Sequence, residues 1–271
     1  MDSIKQAVEL ARAAEAVYHP GTLGGPALAV DGQLHRSAES PYNEVRLNAD
    51  HLEANRIVAY GTSGQNGRYY DMLRTQVLQE MDKKSWQFLA VTSPTAGCGK
   101  SVTACNLALS ISRLPERSVL LVDLDLRRPA VGKYLGIGGQ GGVLNVLEGR
   151  TPLSSAVLQA SIGPNRMLVL PGSVSSNSSE WMASQTMGAL LQTIKRDFRS
   201  RIVIFDLPPL LLGDDVISIL PRIDATLLVA GIGSTSVSDI KECQKHLQRT
   251  PVVRVVVNKV TEAVGSYYAY Y

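Results

Sequence analysis

The chain has 271 residues, of which 45% are hydrophobic and 19% charged, so it can bury a full core and is neither a disordered nor a fibrous type. Its 27 basic and 24 acidic side chains give a formal net charge of +3, which is too balanced for nucleic-acid binding by phosphate neutralisation. We expect a cytoplasmic protein, because no apolar run approaches the roughly 18 residues of a membrane span, the N-terminus lacks an apolar signal core, and the 3 cysteines fit neither a disulfide framework nor a zinc site.

The first 64 residues differ in character from the rest of the chain. Residues 3–17 place apolar side chains on one helical face, and glycines, prolines and mostly polar residues follow to about Asp50. This composition is typical of a frayed helix followed by a flexible linker, although the helix could instead dock on a partner. We predict that residues 1–64 form an N-terminal extension.

From Gly67 onwards, helical stretches alternate with short apolar runs. A helix is predicted over residues 68–84, and six apolar runs follow it, at residues 88–92, 118–123, 167–171, 201–206, 225–230 and 252–258. Continuous apolar strands separated by helical segments indicate a parallel sheet covered on both faces. We predict a single doubly wound α/β domain with a mostly parallel sheet over residues 65–262, and a short tail over residues 263–271.

A candidate phosphate-binding loop joins the first apolar run to the next helix. The segment SPTAGCGKS supplies glycines whose backbone N–H groups can face a phosphate, Lys100 for the terminal phosphates and the Ser101 hydroxyl for magnesium. The strict P-loop pattern has a glycine where this chain has Pro94, so the loop by itself is a weak match.

Three carboxylates follow buried strands of the predicted sheet. Asp123 and Asp125 end the run VLLVDLD, and Asp206 ends the run RIVIFD. Each one alone could be a helix cap or a solvated turn residue. Because the carboxyl ends of parallel strands share one edge of the sheet, all three should lie near the loop. Together they predict a P-loop NTPase fold with a site for a nucleotide and magnesium.

The segments TSPTAGCGKS, LLVDLDLRRP and VIFDLPP resemble the three Walker-type motifs of the bacterial tyrosine kinases of polysaccharide export, which are similar to the MinD/ParA group of deviant P-loop ATPases. The resemblance covers roughly residues 65–271 and implies ATP and Mg²⁺ as cofactors. It implies that Lys100 and Ser101 hold the phosphates and the metal. It also implies that Asp123 and Asp125 serve the metal and the attacking hydroxyl, and that Asp206 orders the metal's water shell.

The same resemblance implies which residues contact ATP. They are the loop and the start of its helix: Thr95, Ala96, Gly97, Cys98, Gly99, Lys100, Ser101 and Val102. Asn258 falls where relatives contact the adenine, and an ordinary strand-end turn is the alternative interpretation. Cys98 lies at a predicted helix N-terminus, where the pKa of a thiol should fall. We hypothesise that its modification blocks ATP binding; a tolerated small residue is the alternative.

Four of the chain's 10 tyrosines lie in its last five residues, at Tyr267, Tyr268, Tyr270 and Tyr271. Chain termini are usually exposed, so these rings are not expected in a core. They resemble the C-terminal phosphoacceptor clusters of the bacterial tyrosine kinases, and a tail that docks on the body or a partner is the alternative. Because the pKa of a phenol is near 10, transfer needs a proton acceptor, for which a strand-end carboxylate is suited.

Some positions depart from the family patterns. MinD/ParA proteins carry a loop lysine that reaches the partner's nucleotide, and this chain has Thr95 there. The kinases commonly have a glutamate where this chain has Cys98, and they carry E-x-x-R-x-x-R on the helix before the loop. The aligned residues here are Arg68, Asp71 and Arg74, so only the last arginine matches. This helix could mediate self-association, or it could be an exposed charged face.

We therefore expect an ATP-dependent protein-tyrosine autokinase that phosphorylates its C-terminal tyrosines and regulates exopolysaccharide synthesis or export. The resemblance implies an activating partner, a membrane-embedded polysaccharide co-polymerase that recruits the chain to the inner face of the membrane. A homo-oligomer is one interpretation of the helix before the loop. The alternative is a non-kinase MinD/ParA-like ATPase switch that binds partners according to its nucleotide state. A degenerate family member acting as a scaffold is a third interpretation.

Overall fold

The structure of the protein is a computed structural model that describes residues 41–61, 65–138, 141–248 and 250–260. The predicted helix over residues 3–17, the linker that follows it and the tail over residues 263–271 lie outside the described residues. The four tail tyrosines therefore remain a prediction.

The described residues form an α/β fold. Its strands are β1 (Asn43–Arg46), β2 (Phe88–Thr92), β3 (Val119–Asp123), β4 (Leu158–Ile162), β5 (Asn165–Leu170), β6 (Ile202–Asp206), β7 (Ala225–Gly231) and β8 (Val252–Asn258). Its helices are α1 (Ala49–Ala54), α2 (Gln65–Lys84), α3 (Lys100–Ser112), α4 (Val131–Leu135), α5 (Val143–Leu147), α6 (Leu153–Ala156), α7 (Ser178–Ala183), α8 (Gln185–Asp197), α9 (Asp215–Ile219) and α10 (Val237–His246). Short 3₁₀ turns lie at Leu210–Leu212 and Leu220–Arg222. Within these residues, no helix has both the length and the apolarity to cross a membrane.

One eight-stranded sheet has the order β1-β4-β5-β3-β6-β2-β7-β8. All neighbouring strands are parallel except β4 and β5, which form an antiparallel pair. Each of the six predicted apolar runs forms a strand. Five of them are largely buried, as expected for parallel strands that are apolar on both faces, whereas β8 lies at the edge of the sheet and is mostly exposed. The mostly parallel, doubly wound sheet predicted from the sequence is confirmed.

Alternate residues of the central strands enter two apolar cores, one on each face of the sheet. On β2, Leu89 and Val91 belong to the core beneath α2 and α3, whereas Phe88 and Ala90 belong to the core beneath α8. The ring of Phe88 meets that of Phe205 edge to face, with centroids 5.1 Å apart. Both faces of the sheet are thus covered, and the carboxyl ends of the strands are left as the place for a site.

The sheet extends further toward the N-terminus than predicted. Strand β1 pairs with β4, and Leu52 and Ile57 are fully buried, so the segment before residue 65 is part of the domain. The predicted boundary at residue 65 is therefore corrected. The sequence of β1, NEVR, is short, polar and mostly exposed at an edge, so it lacks the apolar run that marks a buried strand.

Candidate active site

The carboxyl ends of three adjacent central strands bring together the groups predicted to form the site. The loop that starts at Ser93 follows β2, Asp206 ends β6 and Asp123 ends β3. Asp123 and Asp206 are paired in register across neighbouring strands, and Asp206 is paired with Val91 on the other side. The two carboxylates and the loop therefore lie side by side at one sheet edge, as predicted.

The loop needs glycine at two positions. Gly97 and Gly99 have φ of +77° and +93°, in the left-handed region that residues with a β-carbon rarely adopt. A β-carbon on Gly99 would also lie 2.2 Å from Nδ2 of Asn258. Helix α3 begins at Lys100, and the first N–H groups of a helix have no intrahelical acceptor. The loop and this helix terminus together have the geometry of a phosphate-binding cradle.

Lys100 is the cation of the site. Its Nζ lies 2.7 Å from Oδ2 of Asp125, 3.5 Å from Oδ1 of Asp206 and 3.2 Å from Oγ of Ser101. Burial would lower the pKa of Lys100, but the negative charges of Asp206 and Asp125 outweigh it and raise the pKa. Lys100 therefore remains an ammonium near neutral pH and can neutralise phosphate charge.

Asp123 is fully buried and held by backbone donors. Its Oδ2 accepts the N–H groups of Ala130 and Val131 at 2.9 and 3.0 Å, and its Oδ1 accepts that of Asp125 at 3.1 Å. Burial and then the nearby charge of Asp206 raise the pKa of Asp123 to about 7. A carboxyl with this pKa can accept and release a proton near neutral pH, as a general base requires.

Asp206 has an oxygen that the protein leaves without a partner. The residue is fully buried, and its Oδ2 accepts no hydrogen bond, which is costly for a carboxylate. Burial raises its pKa, and the neighbouring charge of Lys100 and a hydrogen bond from Ser101 act in the opposite direction. Ser101, Asp123 and Asp206 provide only oxygen donors, the kind that Mg²⁺ prefers.

Among the residues that the structure describes, no cluster of three His, Cys, Asp or Glu side chains is arranged as a metal site. Magnesium at nucleotide sites commonly takes one or two protein oxygens and completes its shell with phosphates and water. The unpartnered oxygen of Asp206 next to the Ser101 hydroxyl fits this mode of binding. The residues predicted for the metal are therefore compatible with it.

Cys98 and Thr95 attach the loop to the segment that follows β7. The buried thiol of Cys98 lies 3.2 Å from the Thr95 carbonyl oxygen and 3.4 Å from Oγ1 of Thr235, and Thr95 Oγ1 donates to the Ser234 carbonyl at 3.1 Å. Burial would raise the pKa of Cys98, but hydrogen bonds with Thr235, Thr95 and Ser234 outweigh it and lower the pKa to about 7. The pKa thus falls as predicted, but the hydroxyl groups cause the fall.

We expect alkylation of Cys98 to abolish nucleotide binding, because an adduct must break the contacts that hold the loop. The measurement is titration with a fluorescent ADP analogue before and after treatment with N-ethylmaleimide. Cys105 and Cys243 are buried and have raised pKa values, so Cys98 should react first. Cys98→Ser is the matched control and should bind nucleotide with or without the reagent. Unchanged affinity after complete modification of Cys98 would contradict this prediction.

Asn258 lies at the end of β8 and reaches the loop. Its Nδ2 donates to the Cys98 carbonyl at 3.0 Å, and its Oδ1 accepts the Lys259 N–H at 2.8 Å. The contact with adenine that the resemblance implies stays a prediction. Of the remaining predicted contacts, Ala96 is exposed in the loop and Val102 lies in the first turn of α3.

Asp71 connects α2 to α3. Its carboxylate accepts from Nη1 of Arg113 at 2.9 Å, Nη1 of Arg74 at 3.2 Å and Oγ of Ser110 at 2.6 Å. The interpretation of this stretch as a solvated charged face is wrong for Asp71 and Arg74, which are partly buried, whereas Arg68 is exposed. In the sequence this stretch looks like a solvated face, because Arg113, which pairs with Asp71, lies 42 residues further along the chain.

Sequence reasoning missed Asp215, which holds the segment after Asp125. Asp215 is buried, forms an ion pair with Arg127 at 2.8 Å and accepts a hydrogen bond from Ser178. Burial would raise its pKa, but these hydrogen bonds and the Arg127 charge outweigh it and lower the pKa. The sequence signal for it was the pair of adjacent carboxylates in GDD, at the start of α9. The guanidinium of Arg127 is therefore held by its ion pair with Asp215.

Residues 89–268 match the family model described as the CobQ/CobB/MinD/ParA nucleotide binding domain. A tyrosine-protein kinase named CpsD, from Streptococcus pneumoniae serotype 4, is 30% identical over 202 residues, which cover 73% of this chain and 86% of that protein.

Two solved structures share the fold. The kinase domain of the Escherichia coli tyrosine kinase ETK is 25% identical with a TM-score of 0.61, over 72% of this chain and 78% of that one. The septum site-determining protein MinD with Mg-ADP, from Pyrococcus horikoshii, is 18% identical with a TM-score of 0.54, over 66% and 72%. At that identity the MinD likeness supports the fold alone.

Proposed function

Because the chain belongs to the CobQ/CobB/MinD/ParA nucleotide-binding family, and within it to the bacterial tyrosine kinases, we propose that it transfers phosphate from ATP to tyrosine. The acceptors that we propose are its own tail residues Tyr267, Tyr268, Tyr270 and Tyr271. The observation that carries this function is the meeting of the loop, the Lys100 ammonium and the strand-end carboxylates Asp123 and Asp206 at one edge of the sheet.

In this proposal each side chain of the site has a separate role in phosphoryl transfer. The phenolic oxygen attacks the γ-phosphorus, the bond from that phosphorus to the bridging oxygen of ADP breaks, and a strand-end carboxylate, Asp123 or Asp125, takes the phenolic proton. Lys100 moves from Asp125 to the terminal phosphates and stabilises the charge that develops there. The N–H groups at the start of α3 hold the phosphates in place.

Ser101, Asp123 and Asp206 are the residues that we propose for Mg²⁺, which neutralises phosphate charge when it is bound. Asp206 Oδ2 has no hydrogen bond to give up on binding, since it is already unpartnered. Ser101 reaches the same place because it follows Lys100 at the start of α3.

We also propose the biological setting that the family resemblance implies. The chain would regulate exopolysaccharide synthesis or export, and a membrane-embedded polysaccharide co-polymerase would activate it at the inner face of the membrane. Self-association would bring the tail of one copy to the site of another. The competing function is an ATPase switch without kinase activity, but Thr95 replaces the loop lysine that reaches across the dimer in that group.

Transfer between copies is favoured by the short tether of the tail. About eight residues separate Asn258 from Tyr267, and they span roughly 26 Å when fully extended. Such a tether must also turn each phenol in line with the γ-phosphate, and entry from a neighbour avoids that constraint. Each phosphotyrosine adds about −1.5 to −2 charge, so four of them outweigh the formal +3 and should repel the carboxylate-lined site.

The test mixes two proteins, a full-length Lys100→Met chain and an active chain that ends at Gly265. We expect intact-mass measurements to show phosphate on the Lys100→Met chain, at a rate that rises with protein concentration. A Lys100→Met chain with all four tail tyrosines changed to phenylalanine is the matched control and should stay unmodified. ATP hydrolysis without any phosphotyrosine would favour the switch. Concentration-independent modification of the intact wild type, with none on the Lys100→Met chain, would show transfer within one copy.

A further inference from the structure

The edge of the sheet where β5, β3, β6 and β2 begin is rich in basic residues. These four neighbouring strands are parallel, so this edge lies opposite the one that holds the loop and the carboxylates. The basic residues lie at the start of a strand or in the few residues that lead into one. We call them the basic edge, and they are Lys83, Lys84, Arg117, Arg166, Arg199 and Arg201.

Hydrogen bonds and strand register hold the segments of the basic edge together. The side-chain amide of Gln87, before β2, donates to the Phe198 carbonyl, before β6, at 2.7 Å. The N–H of Ile202 donates to the Ser118 carbonyl, before β3, at 3.1 Å. The register of β5 with β3, continued by two residues, places Arg166 level with Ser118. With neighbouring strands about 4.8 Å apart, the basic edge forms one patch across four strands, roughly 14 Å wide.

Carboxylates neutralise only part of this charge. Asp82 pairs with Arg117 at 2.6 Å, and the exposed Glu116 precedes that arginine in the chain. The guanidinium of Arg201 lies over the ring of Phe198, 5.5 Å from its centroid. Four side chains of the basic edge are exposed and form no ion pair with any residue that the structure describes: Lys83, Lys84, Arg166 and Arg199. Such a patch attracts an anionic partner.

The basic edge and the nucleotide site lie at opposite ends of the strands. Strand β2 has five residues, so the loop that follows it lies roughly 17 Å from the basic edge. The carboxylates Asp123, Asp125 and Asp206 lie near the loop, which is why the formal net charge of +3 for the whole chain does not reveal the patch. A partner bound to the basic edge would therefore leave the loop free for nucleotide.

The patch suits the anionic headgroups of a lipid bilayer. Groups of about four to eight Lys and Arg residues are typical of surfaces that bind anionic lipid. Duplex DNA is a poorer match, because proteins commonly make about six to ten phosphate contacts with it and read it with a helix or a pair of strands in a groove, whereas helix ends and turns carry most of these cations. No large apolar side chain is exposed in the described residues 82–87, 116–118, 165–166 and 198–202, so the attraction would be electrostatic.

We infer that the basic edge is a surface for reversible binding to a bilayer that contains anionic lipid, with the phosphate-binding loop turned away from the bilayer. The inference differs from recruitment by a membrane-embedded partner, because here the chain itself contacts the lipid headgroups. It concerns binding alone and does not depend on the proposed kinase activity.

The test measures sedimentation of the full chain with vesicles of equal parts phosphatidylglycerol and phosphatidylcholine. Lys84→Glu combined with Arg199→Glu reverses two exposed charges of the basic edge. Lys133→Glu combined with Lys241→Glu is the matched control, because it changes the net charge equally at exposed residues elsewhere. We expect the first pair to raise the Kd for the vesicles at least tenfold and the control pair to raise it less than about threefold. Wild-type binding should weaken as salt rises and be absent with phosphatidylcholine alone.

A milder variant and a folding check accompany this test. Arg166→Gln removes one charge at the β5 end of the basic edge and should raise the Kd for the vesicles about fivefold. All variants should bind a fluorescent ADP analogue like the wild type, which shows that they are folded. Failure of the wild type to bind the anionic vesicles, or equal vesicle affinities of the two paired variants, would overturn the inference. Tighter binding to a DNA duplex than to vesicles, lost in the Lys84→Glu and Arg199→Glu pair, would overturn it in favour of nucleic acid.

Discussion

Replacement of Lys100 with methionine is expected to reduce autophosphorylation by about two to three orders of magnitude, because one preorganised charge at a phosphate is worth that much in the transition state. Methionine keeps the unbranched side chain as far as Cε and removes the ammonium that faces Asp125 and Asp206. Intact mass after incubation with Mg-ATP measures the loss. Lys83→Met, at the exposed end of α2, is the control and should keep full activity.

The same substitution should also change the pH dependence of stability. Without the Lys100 charge, the buried carboxylates Asp123 and Asp206 lose the cation that lowers their pKa values, so those values should rise further above the ordinary range. A carboxyl whose folded-state pKa is raised keeps its proton after the unfolded chain has lost it, so folding becomes less favourable as pH rises. Urea unfolding should therefore show Lys100→Met closer to the wild type at pH 6 than at pH 8.

Full autophosphorylation by a folded Lys100→Met protein would contradict the assignment of the site. Thermal unfolding at pH 6 checks that the variant is folded. The mixing experiment supplies a second check, since a folded Lys100→Met chain should still receive phosphate on its tail from an active copy.

The second large effect is expected from Gly172→Ala. The new methyl group would lie 2.7 Å from Cβ of Pro129 and 2.8 Å from Cγ of Asp123. Neither neighbour yields easily, because the proline ring is rigid and the carboxylate is held by the N–H groups of Ala130 and Val131. We expect a loss of activity of at least a hundredfold and a loss of stability of about 1–3 kcal/mol, as for overpacking of a core.

Nucleotide affinity distinguishes a local loss of activity from unfolding of the site, because Gly172 is not part of the loop and its substitution should leave nucleotide binding intact. Gly172→Ala should bind a fluorescent ADP analogue within a few-fold of the wild type. Gly138→Ala is the matched control, since a β-carbon there meets no atom within 4 Å. Equal activities of the two variants would show that the close approach to Asp123 is unimportant.

Most of the sheet could be predicted because its strands are buried on both faces. Runs such as FLAVT and VLLVD are apolar at every position, and the burial of β2 and β3 is complete. Strands β1 and β4 were missed because they lie at or near an exposed edge and carry polar residues, as in NEVR and LQASI. Edge strands are specified by pairing with distant segments, which a local pattern does not contain.

The carboxylates of the site could be predicted because strand ends are visible in the sequence. Lys100, Asp123 and Asp206 meet where the order of parallel strands requires them to meet. Their pKa values depend on burial and on the distances between charges, and no spacing in the sequence reveals these.

The Asp71 cluster makes helix α3 a mechanical link between the surface of the domain and the phosphates. Asp71 on α2 accepts a hydrogen bond from Ser110 and forms an ion pair with Arg113 at one end of α3. Lys100 and the loop lie at the other end of this 13-residue helix, about 20 Å away. The helix is one continuous element, so Asp71 and the loop act on its two opposite ends. Force applied to α2 should therefore change how tightly nucleotide is held, and the sharpest measure would be the nucleotide dissociation rate under load.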